Sequence, residues 1–318
     1  CFGSMFLMGP LDLHIELEER LAAFLRREKA ITFSTGFQAN LGVISTLAGR
    51  EDIILVDRAD HASIIDGTRM SFARVLKFRH NDMDHLRHQL EKHRDQAALI
   101  VVDGVFSMEG DLADIPGLVA AAREYGARLI IDDAHGVGTM GAHGRGTAEH
   151  YGCEDDVDIL VGTFSKSFAC IGGFAAGPAK IIEYIKHTAR TMIFSASLPP
   201  AAVATVLATL DILEREPELL QKTHRAAERA RKGLSDLGFN VGNSEAPIVP
   251  VILGEEMLTF RVWRALFDGG VFTNPVISPA VPPDGDMLRT SYMATHTDDM
   301  IDRALDVFEK VGRQFDLI

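Results

Sequence analysis

The stretch Val157-Asp-Ile-Leu-Val-Gly-Thr-Phe-Ser-Lys-Ser-Phe168 decides the fold class, because it joins a buried strand to a turn that carries a lysine. Similar apolar runs at Ile53–Val56, Leu99–Val102 and Leu129–Ile131 predict further strands that are buried on both faces. Helical patterns are predicted between them at Asp84–His93, Ile115–Tyr125 and Ala179–Ala189. Strands and helices that alternate in this way are typical of a parallel sheet covered by helices, so the sequence predicts an α/β domain.

The last third of the chain predicts a second, smaller domain. Long helices are predicted from Pro199-Pro200 through Leu213 and from Glu218 to Leu237, and the pattern changes after Gly238. Strands are predicted at Ile248–Leu253, Val271–Phe272 and Met287–Tyr292, with a proline-rich loop at Pro275–Pro283 and a last helix from Thr297. We therefore expect a large domain over residues 1–210 and a small C-terminal α+β domain over residues 211–318.

Composition excludes several classes of function. The 318 residues include 32 Lys and Arg against 45 Asp and Glu, and the net charge of −13 provides no general attraction for nucleic acid or anionic lipid. No apolar run approaches the roughly 20 residues that a membrane-spanning helix needs. Cys1, Cys153 and Cys170 form neither a metal-ligand pattern nor an even disulfide set. We expect a cytoplasmic protein with no nucleic-acid partner and no integral membrane segment.

Two strand ends carry residues that are ambiguous when each is taken alone. Lys166 is an ordinary solvated loop lysine unless burial lowers the pKa of its amine and makes it a nucleophile. Asp132, at the end of another apolar strand, suits a helix cap as well as a catalytic role, and Asp132-x-x-His135 is a weak zinc signal without a third ligand. Together, a Schiff-base lysine and a carboxylate that keeps a pyridine ring protonated meet the demands of pyridoxal 5'-phosphate (PLP).

The sequence resembles the α-oxoamine synthase family of fold-type I PLP enzymes over nearly its whole length. The motifs that carry the resemblance are Phe33-Ser-Thr-Gly-Phe-Gln-Ala-Asn40, Asp60-His-Ala-Ser-Ile-Ile-Asp-Gly67, Asp103-Gly-Val-Phe-Ser-Met-Glu-Gly-Asp111, Asp132-Asp-Ala-His-Gly136, Gly162-Thr-Phe-Ser-Lys-Ser167 and Phe194-Ser-Ala-Ser-Leu-Pro-Pro200. Their order and spacing imply a fold-type I transferase, with a large domain whose mostly parallel sheet lies between helices.

The resemblance also implies a set of site residues. Lys166 holds PLP covalently and removes the substrate's α-proton, Asp132 pairs with the ring nitrogen, and His135 bonds the phenolic oxygen. His61 stacks on the ring and lies close to the substrate carboxylate, which Arg289 grips. The other positions expected to contact PLP are Gly36, Phe37, Ser107, Thr163, Ser165 and Ala196. No metal is expected.

The implied reaction joins a small α-amino acid to an acyl-CoA and releases CoA and carbon dioxide. Two motifs, around His61 and Lys166, are more similar to those of bacterial serine palmitoyltransferase and the ketobutyrate ligase than to 8-amino-7-oxononanoate synthase, which favours serine or glycine. The alternatives are 8-amino-7-oxononanoate synthase or glycine C-acetyltransferase activity, an aminotransferase on the same fold, and a non-catalytic partner subunit, against which Lys166 argues.

The resemblance further implies a homodimer with shared active sites, to which the segment around Ala196 contributes from the neighbouring subunit. Two departures from the family pattern stand at the beginning of the chain. Family members start with a further segment that helps cover the substrate entrance, and Met5 stands where the family has an arginine.

Overall fold

A computed structural model of the protein describes residues Gly3–Ile318, so that Cys1 lies outside the described residues. The chain forms two compact units. The first comprises Ala113–Glu216 together with the chain up to Val105, and the second comprises Phe106–Leu112 and Pro217–Ile318. This division differs from the sequence-based boundary after residue 210, because the helix there continues without interruption to Arg215. The assignment of domains to residues 1–210 and 211–318 stays a prediction.

The first unit is built on a seven-stranded sheet within the described part of the chain. Its strands are β1 (Lys29–Phe33), β2 (Ile53–Asp57), β3 (Arg74–Phe78), β4 (Ala98–Asp103), β5 (Arg128–Asp132), β6 (Ile159–Thr163) and β7 (Gly173–Gly177). They lie in the order β1-β7-β6-β5-β4-β2-β3, and only β7 runs antiparallel to its neighbours among these strands. This arrangement confirms the mostly parallel α/β sheet that the sequence predicts.

Helices accompany the strands, as the alternating pattern predicts. They are α1 (Met5–Met8), α2 (Asp12–Phe24), α3 (Gly36–Leu47), α4 (Ala62–Met70), α5 (Met83–Lys92), α6 (Ile115–Tyr125), α7 (Thr147–His150), α8 (Ala179–Thr188), α9 (Arg190–Ile193) and α10 (Pro200–Arg215). Local sequence sets their ends. Asp114 caps α6 by accepting a hydrogen bond from Gly117 N, and Gly126 ends it at φ 68°, a conformation that glycine adopts without strain. No helix of residues 3–318 is long and apolar enough to cross a bilayer.

The central strands are buried on both faces, which explains their continuous apolar sequence. All five residues of β2, β5's last four and all of β6 are buried. Because β4, β5 and β6 are parallel neighbours, their carboxyl ends lie at one edge of the sheet, where Asp103, Asp132 and Thr163 are the last strand residues. Ligands of open α/β sheets bind outside this edge.

The second unit packs helices on a three-stranded antiparallel sheet, as far as the chain is described. Its elements are α11 (Glu218–Leu237), β8 (Ile248–Ile252), α12 (Glu256–Asp268), β9 (Asn274–Val276), β10 (Met287–Ser291) and α13 (Asp298–Gln314), and the strand order is β8-β10-β9. Its core joins the three helices to the sheet through Leu234, Leu266 and Phe308 against Val251 and Leu288. The predicted smaller α+β unit is therefore present.

One predicted strand is wrong. Val271–Phe272 is not a strand, because Val271 N bonds to Leu266 O and closes the end of α12, while Phe272 is 71% exposed. The strand lies instead at Asn274–Val276, partly inside the predicted proline-rich loop. Pro275 is compatible with it because β9 is an edge strand, where a missing N–H costs no ladder hydrogen bond.

Candidate active site

The carboxyl edge of the large sheet gathers most of the residues singled out from the sequence. Asp132 ends β5, Thr163 ends β6, and Lys166 lies in the turn that follows β6. His61 precedes α4, which follows β2. These residues come from separate segments of the chain, and parallel strand order brings them to one side of the sheet.

Asp132 is buried, and both of its carboxylate oxygens are held by hydrogen bonds. Oδ1 accepts from Ala134 N at 3.1 Å, and Oδ2 accepts from the side-chain amide of Asn40 at 2.5 Å. Asn40 lies one turn into α3, so that the helix delivers its amide to the end of β5. The Asp132 carboxylate is thereby fixed in orientation while its remaining lone pairs stay free for a ring N–H.

His61 is the N-cap of α4, and its imidazole is held through Nδ1. This atom lies 2.7 Å from Ser63 Oγ and accepts a hydrogen bond from Ser63 N at 3.3 Å. The backbone of His61 is also fixed, because its N–H donates to Asp103 Oδ2 at 2.7 Å. Partial burial lowers the pKa of His61, the Asp132 charge opposes this effect, and the Lys166 charge reinforces it. The imidazole is therefore neutral at physiological pH.

Of the two environments that the sequence allows for Lys166, the structure shows the solvated one: it is exposed, because β6 ends at Thr163 and Lys166 lies in the turn beyond it. Its charge lowers the pKa values of His61 and Asp103, so its ammonium lies within electrostatic range of both. The turn that holds it is strained: Ala169 has φ 48°, and its N–H donates to Lys166 O. His135 lies in the turn after β5, where its carbonyl accepts from the Thr139 hydroxyl.

Two buried carboxyl groups, those of Asp60 and Asp103, hold the backbone in place at this edge of the sheet. Asp60 accepts from Asp57 N at 2.7 Å and from Asp103 N at 2.9 Å, which ties the ends of β2 and β4 together. Burial raises the pKa values of Asp60 and Asp103 well above their ordinary range, and neighbouring carboxylates add to the effect. Their arrangement is structural, since backbone N–H groups occupy their oxygens.

The N-terminus of α3 forms a candidate phosphate site against the end of β6. The N–H groups of Gly36 and Phe37 make no hydrogen bond to other described residues, as is usual in a first helical turn. Gly36 is in close contact with β6, because a Cβ there would lie 2.7 Å from Thr163 Cβ. Thr163 Oγ1 lies 2.9 Å from Ser165 Oγ and donates to Gly172 O at 2.9 Å. The structure thus brings these four predicted residues together.

The segment around Ala196 lies beside the same helix N-terminus of its own chain. Ala196 O accepts from the Ser34 hydroxyl, and Ser195 Oγ accepts from the Gln38 amide at 3.1 Å. Ala196 itself is exposed, and its contribution to the site of a neighbouring subunit stays a prediction.

Ser107 and Arg289 both belong to the second unit. Arg289, on β10, donates from Nε to Ser107 O at 2.6 Å and from Nη1 to Ser291 Oγ at 2.8 Å. Burial lowers the pKa of Arg289, although a guanidinium stays protonated in proteins. These bonds fix the plane of the guanidinium and leave Nη2 for an anionic partner.

The sequence matches a known family over most of its length. The model of the family described as aminotransferase class I and II matches residues 2–308. The chain belongs to this family. The α-oxoamine synthase resemblance predicted from the sequence is confirmed, because the relatives include serine palmitoyltransferases and 8-amino-7-oxononanoate synthases.

Three of these similarities illustrate the relationship. The serine palmitoyltransferase of Sphingobacterium spiritivorum is 51% identical over 100% of this chain and 80% of its own length. The 8-amino-7-oxononanoate synthase of Thermoanaerobacter pseudethanolicus is 42% identical over 98% of this chain and 80% of its own. A solved serine palmitoyltransferase from S. paucimobilis with bound PLP-myriocin aldimine superimposes with a TM-score of 0.97 at 38% identity, covering 100% of this chain and 80% of that chain.

No role for Asn40, Ser63 or Asp103 is predicted from the sequence, although all three lie in the motifs that carry the resemblance. One signal could have identified Asn40. It stands four residues after Gly36, a spacing that places both residues on the same face of a helix. No group of three or more His, Cys, Asp or Glu side chains within residues 3–318 is arranged to hold a metal ion.

Proposed function

We propose that this protein joins L-serine to a long-chain acyl-CoA in a PLP-dependent decarboxylative condensation. A bond forms between the amino acid's α-carbon and the acyl carbon, while the thioester C–S bond and the bond to the carboxylate break, which releases CoA and carbon dioxide. The observation that carries the proposal is 51% identity to a serine palmitoyltransferase over the whole chain. The relatives confirm the predicted class of enzyme, a PLP-dependent acyltransferase.

The residues of the first unit fit PLP. Gly36 leaves a helix N-terminus open to a phosphate and a Cβ there would clash with Thr163, while the Thr163 and Ser165 hydroxyls lie beside it. Asp132 offers a buried, oriented carboxylate for a protonated ring nitrogen. When bound, PLP supplies an electron sink for the α-carbon of the amino acid.

We assign the chemical steps to the predicted residues of this chain. The Lys166 amine would hold the cofactor covalently and would take the proton from the α-carbon of the amino acid. Asp132 keeps the ring nitrogen protonated through its negative charge, and His135 donates to the phenolic oxygen. His61, neutral by virtue of its lowered pKa, covers the ring and donates a hydrogen bond to the substrate.

The remaining site residues bind and orient. Gly36 and Phe37 hold the phosphate through two backbone N–H groups beside the Thr163 and Ser165 hydroxyls, joined by the Ala196 segment of the neighbouring subunit. In the second unit, the Arg289 guanidinium binds the serine carboxylate, for which a planar two-pronged donor is suited, and Ser107 O fixes its orientation.

A thiol-release assay tests the activity. Serine with long-chain acyl-CoA is expected to release CoA, and Lys166→Ala serves as the inactive control. Release with other amino acids and short acyl chains only, or formation of 8-amino-7-oxononanoate, would contradict the serine palmitoyltransferase assignment. Formation of a keto acid from serine and a 2-oxo acid without thiol release would indicate an aminotransferase instead.

We also propose a homodimer with shared active sites. Helices α1 and α9 pack together, and exposed apolar side chains lie on or beside them: Phe6, Leu7, Met8 and Phe194. Monomers seldom expose contiguous apolar patches, so this surface favours an interface between subunits. Mixed dimers of Lys166→Ala and Ala196→Trp chains should regain activity, since one of the two sites then carries neither defect. Verified mixed dimers without activity, or an active monomer in light scattering, would refute shared sites.

A cytoplasmic location completes the proposal. It is supported by the unpaired thiols of Cys153 and Cys170, which suit a reducing compartment. Cell fractionation with an antibody tests it, and recovery of the protein outside the cytoplasmic fraction would contradict it.

A further inference from the structure

A chain of buried hydrogen bonds links two of the proposed cofactor residues. The side-chain amide of Asn40 donates one N–H to Asp132 Oδ2 at 2.5 Å and the other to Ser63 Oγ at 2.8 Å. Ser63 Oγ in turn lies 2.7 Å from His61 Nδ1. Asn40 and Ser63 are each 1% exposed, so water does not compete for these bonds.

The direction of each bond in this chain is determined. A carboxylate only accepts, so Asn40 must turn its NH₂ group toward Asp132, and the same group then supplies the donor to Ser63. A hydroxyl has a single proton. His61 Nδ1 accepts from Ser63 N and is therefore unprotonated, so the contact with Ser63 Oγ must use the hydroxyl proton, while Ser63 Oγ accepts from Asn40.

The remaining imidazole nitrogen is therefore the one that carries the proton. With Nδ1 as an acceptor, a neutral His61 has its hydrogen on Nε2, which has no hydrogen-bond partner among residues 3–318. The orientation of Asn40 has a cost, since its Oδ1 is buried without a hydrogen bond. The unbonded oxygen indicates that the Asn40 side chain is oriented by the two hydrogen bonds that its NH₂ group donates.

We propose that Asn40 is a positioning residue that couples the Asp132 carboxylate to His61 through Ser63 and sets His61 as an Nε2–H donor. This inference rests on the proposed function, in which Asp132 and His61 contact PLP and substrate. Asn40 itself acts only through these two side chains. Its amide is required because no other side chain of the same length offers two N–H donors.

The decisive variant is Asn40→Asp, which keeps the shape and replaces the donor by a carboxyl group. The new group shares one proton with Asp132 and accepts from the Ser63 hydroxyl, whose lone pair then faces His61 Nδ1. The direction of the chain reverses, and His61 is expected to carry its proton on Nδ1. Asn40→Ala gives a second test, because it removes the donor to Ser63 and frees the hydroxyl to accept from Nδ1–H.

The tautomer of His61 is measured by nitrogen NMR of the full chain with labelled histidine, and the His61 signals are assigned by their absence in His61→Gln. The Nδ1–H population should rise about tenfold in Asn40→Asp and less in Asn40→Ala, as expected for the reversal and the loss of one hydrogen bond. Adding Ser63→Ala to Asn40→Asp should return most of the population to Nε2–H, because the hydroxyl that accepts from Nδ1–H is removed while the backbone N–H of residue 63 still donates to Nδ1.

Ser45→Ala is the matched control, because it removes a hydroxyl from the same helix that bonds only Leu41 O. Wild-type tautomer populations in both Asn40 variants, or a double variant that stays switched, would overturn the coupling. Spectra are recorded with and without PLP and the same tautomer is expected in both. Failure of PLP binding or of thiol release would contradict the proposed function. The tautomer of His61 could still be measured in the PLP-free protein, so the two failures are distinguishable.

Discussion

Substitution of Gly36 by alanine tests whether the N-terminus of α3 binds the cofactor phosphate. A Cβ at this position would lie 2.7 Å from Thr163 Cβ and 2.9 Å from Thr163 Oγ1. Real Cβ atoms do not approach so closely, and Thr163 is 7% exposed on a central strand, so it has little room to withdraw. The helix N-terminus must therefore move away from the end of β6.

The two opposing contributions to stability can be compared. Replacing glycine by alanine in a helix gains up to about 1 kcal/mol, and less in the first turn, where Gly36 lies. Overpacking a well-packed position costs about 1–3 kcal/mol. We expect overpacking to prevail, with a decrease of about 1–2 kcal/mol in the free energy of unfolding. The displaced N–H groups should raise the Kd for PLP about tenfold, which corresponds to about 1.4 kcal/mol.

Gly49→Ala is the matched control, because the nearest atom to a Cβ there is Asp52 Oδ2 at 3.5 Å, an ordinary contact. Urea denaturation gives the free energy of unfolding, and PLP titration followed by absorbance gives the Kd. The control should retain wild-type values of both. If Gly36→Ala binds PLP with wild-type affinity, the phosphate does not contact this helix end, and the assignment of Gly36 and Phe37 is refuted.

Four further outcomes are expected. Borohydride reduction and peptide mapping should place the pyridoxyl group on Lys166, and label on any other lysine would contradict its role. Asp132→Asn should retain PLP and lose most exchange of the α-proton with deuterated solvent, because an amide cannot hold the ring nitrogen protonated; exchange at the wild-type rate would count against this. Arg289→Lys should raise KM for serine about tenfold in steady-state assays, since lysine lacks the two-pronged geometry, and an unchanged KM would remove Arg289 from the site. Burial raises the pKa of Asp133 to about 7 from 3.8, so the folded state binds the proton more tightly than the unfolded chain. The resulting stability is lost as pH rises from about 4 to about 7, by up to about 4 kcal/mol, and urea denaturation across pH should show that Asp133→Asn removes this part of the dependence.

Much of the fold could be predicted because burial and sequence pattern coincide in the central strands. β2, β4, β5 and β6 were all predicted, since a strand covered on both faces must be apolar throughout. β1, β3 and β7 were not predicted. The sequence of β7 is Gly-Phe-Ala-Ala-Gly, and its small residues show no pattern typical of a strand. Gly173 is required there because a Cβ at this position would lie 2.6 Å from Gly36 Cα. Such a contact joins residues far apart in sequence and has no local signal.

The candidate site shows the same limit. Strand-end residues such as Asp132 and Lys166 stood out because charged groups follow apolar runs. Asn40 and Ser63 did not, because an asparagine and a serine within helices are ordinary there. Their importance arises from tertiary contacts, in which α3 and α4 meet at the end of β5.

The doublet Asp132-Asp133 shows why geometry is needed to separate a chemical role from a structural one. Neighbouring side chains at the end of a strand point to opposite sides. Asp132 therefore faces α3, where Asn40 orients it, whereas Asp133 accepts from Thr147 N at the start of α7. Burial raises the pKa of Asp133 to about 7. Asp132, with a side-chain donor that also reaches Ser63, is the carboxylate of the pair that suits the cofactor nitrogen.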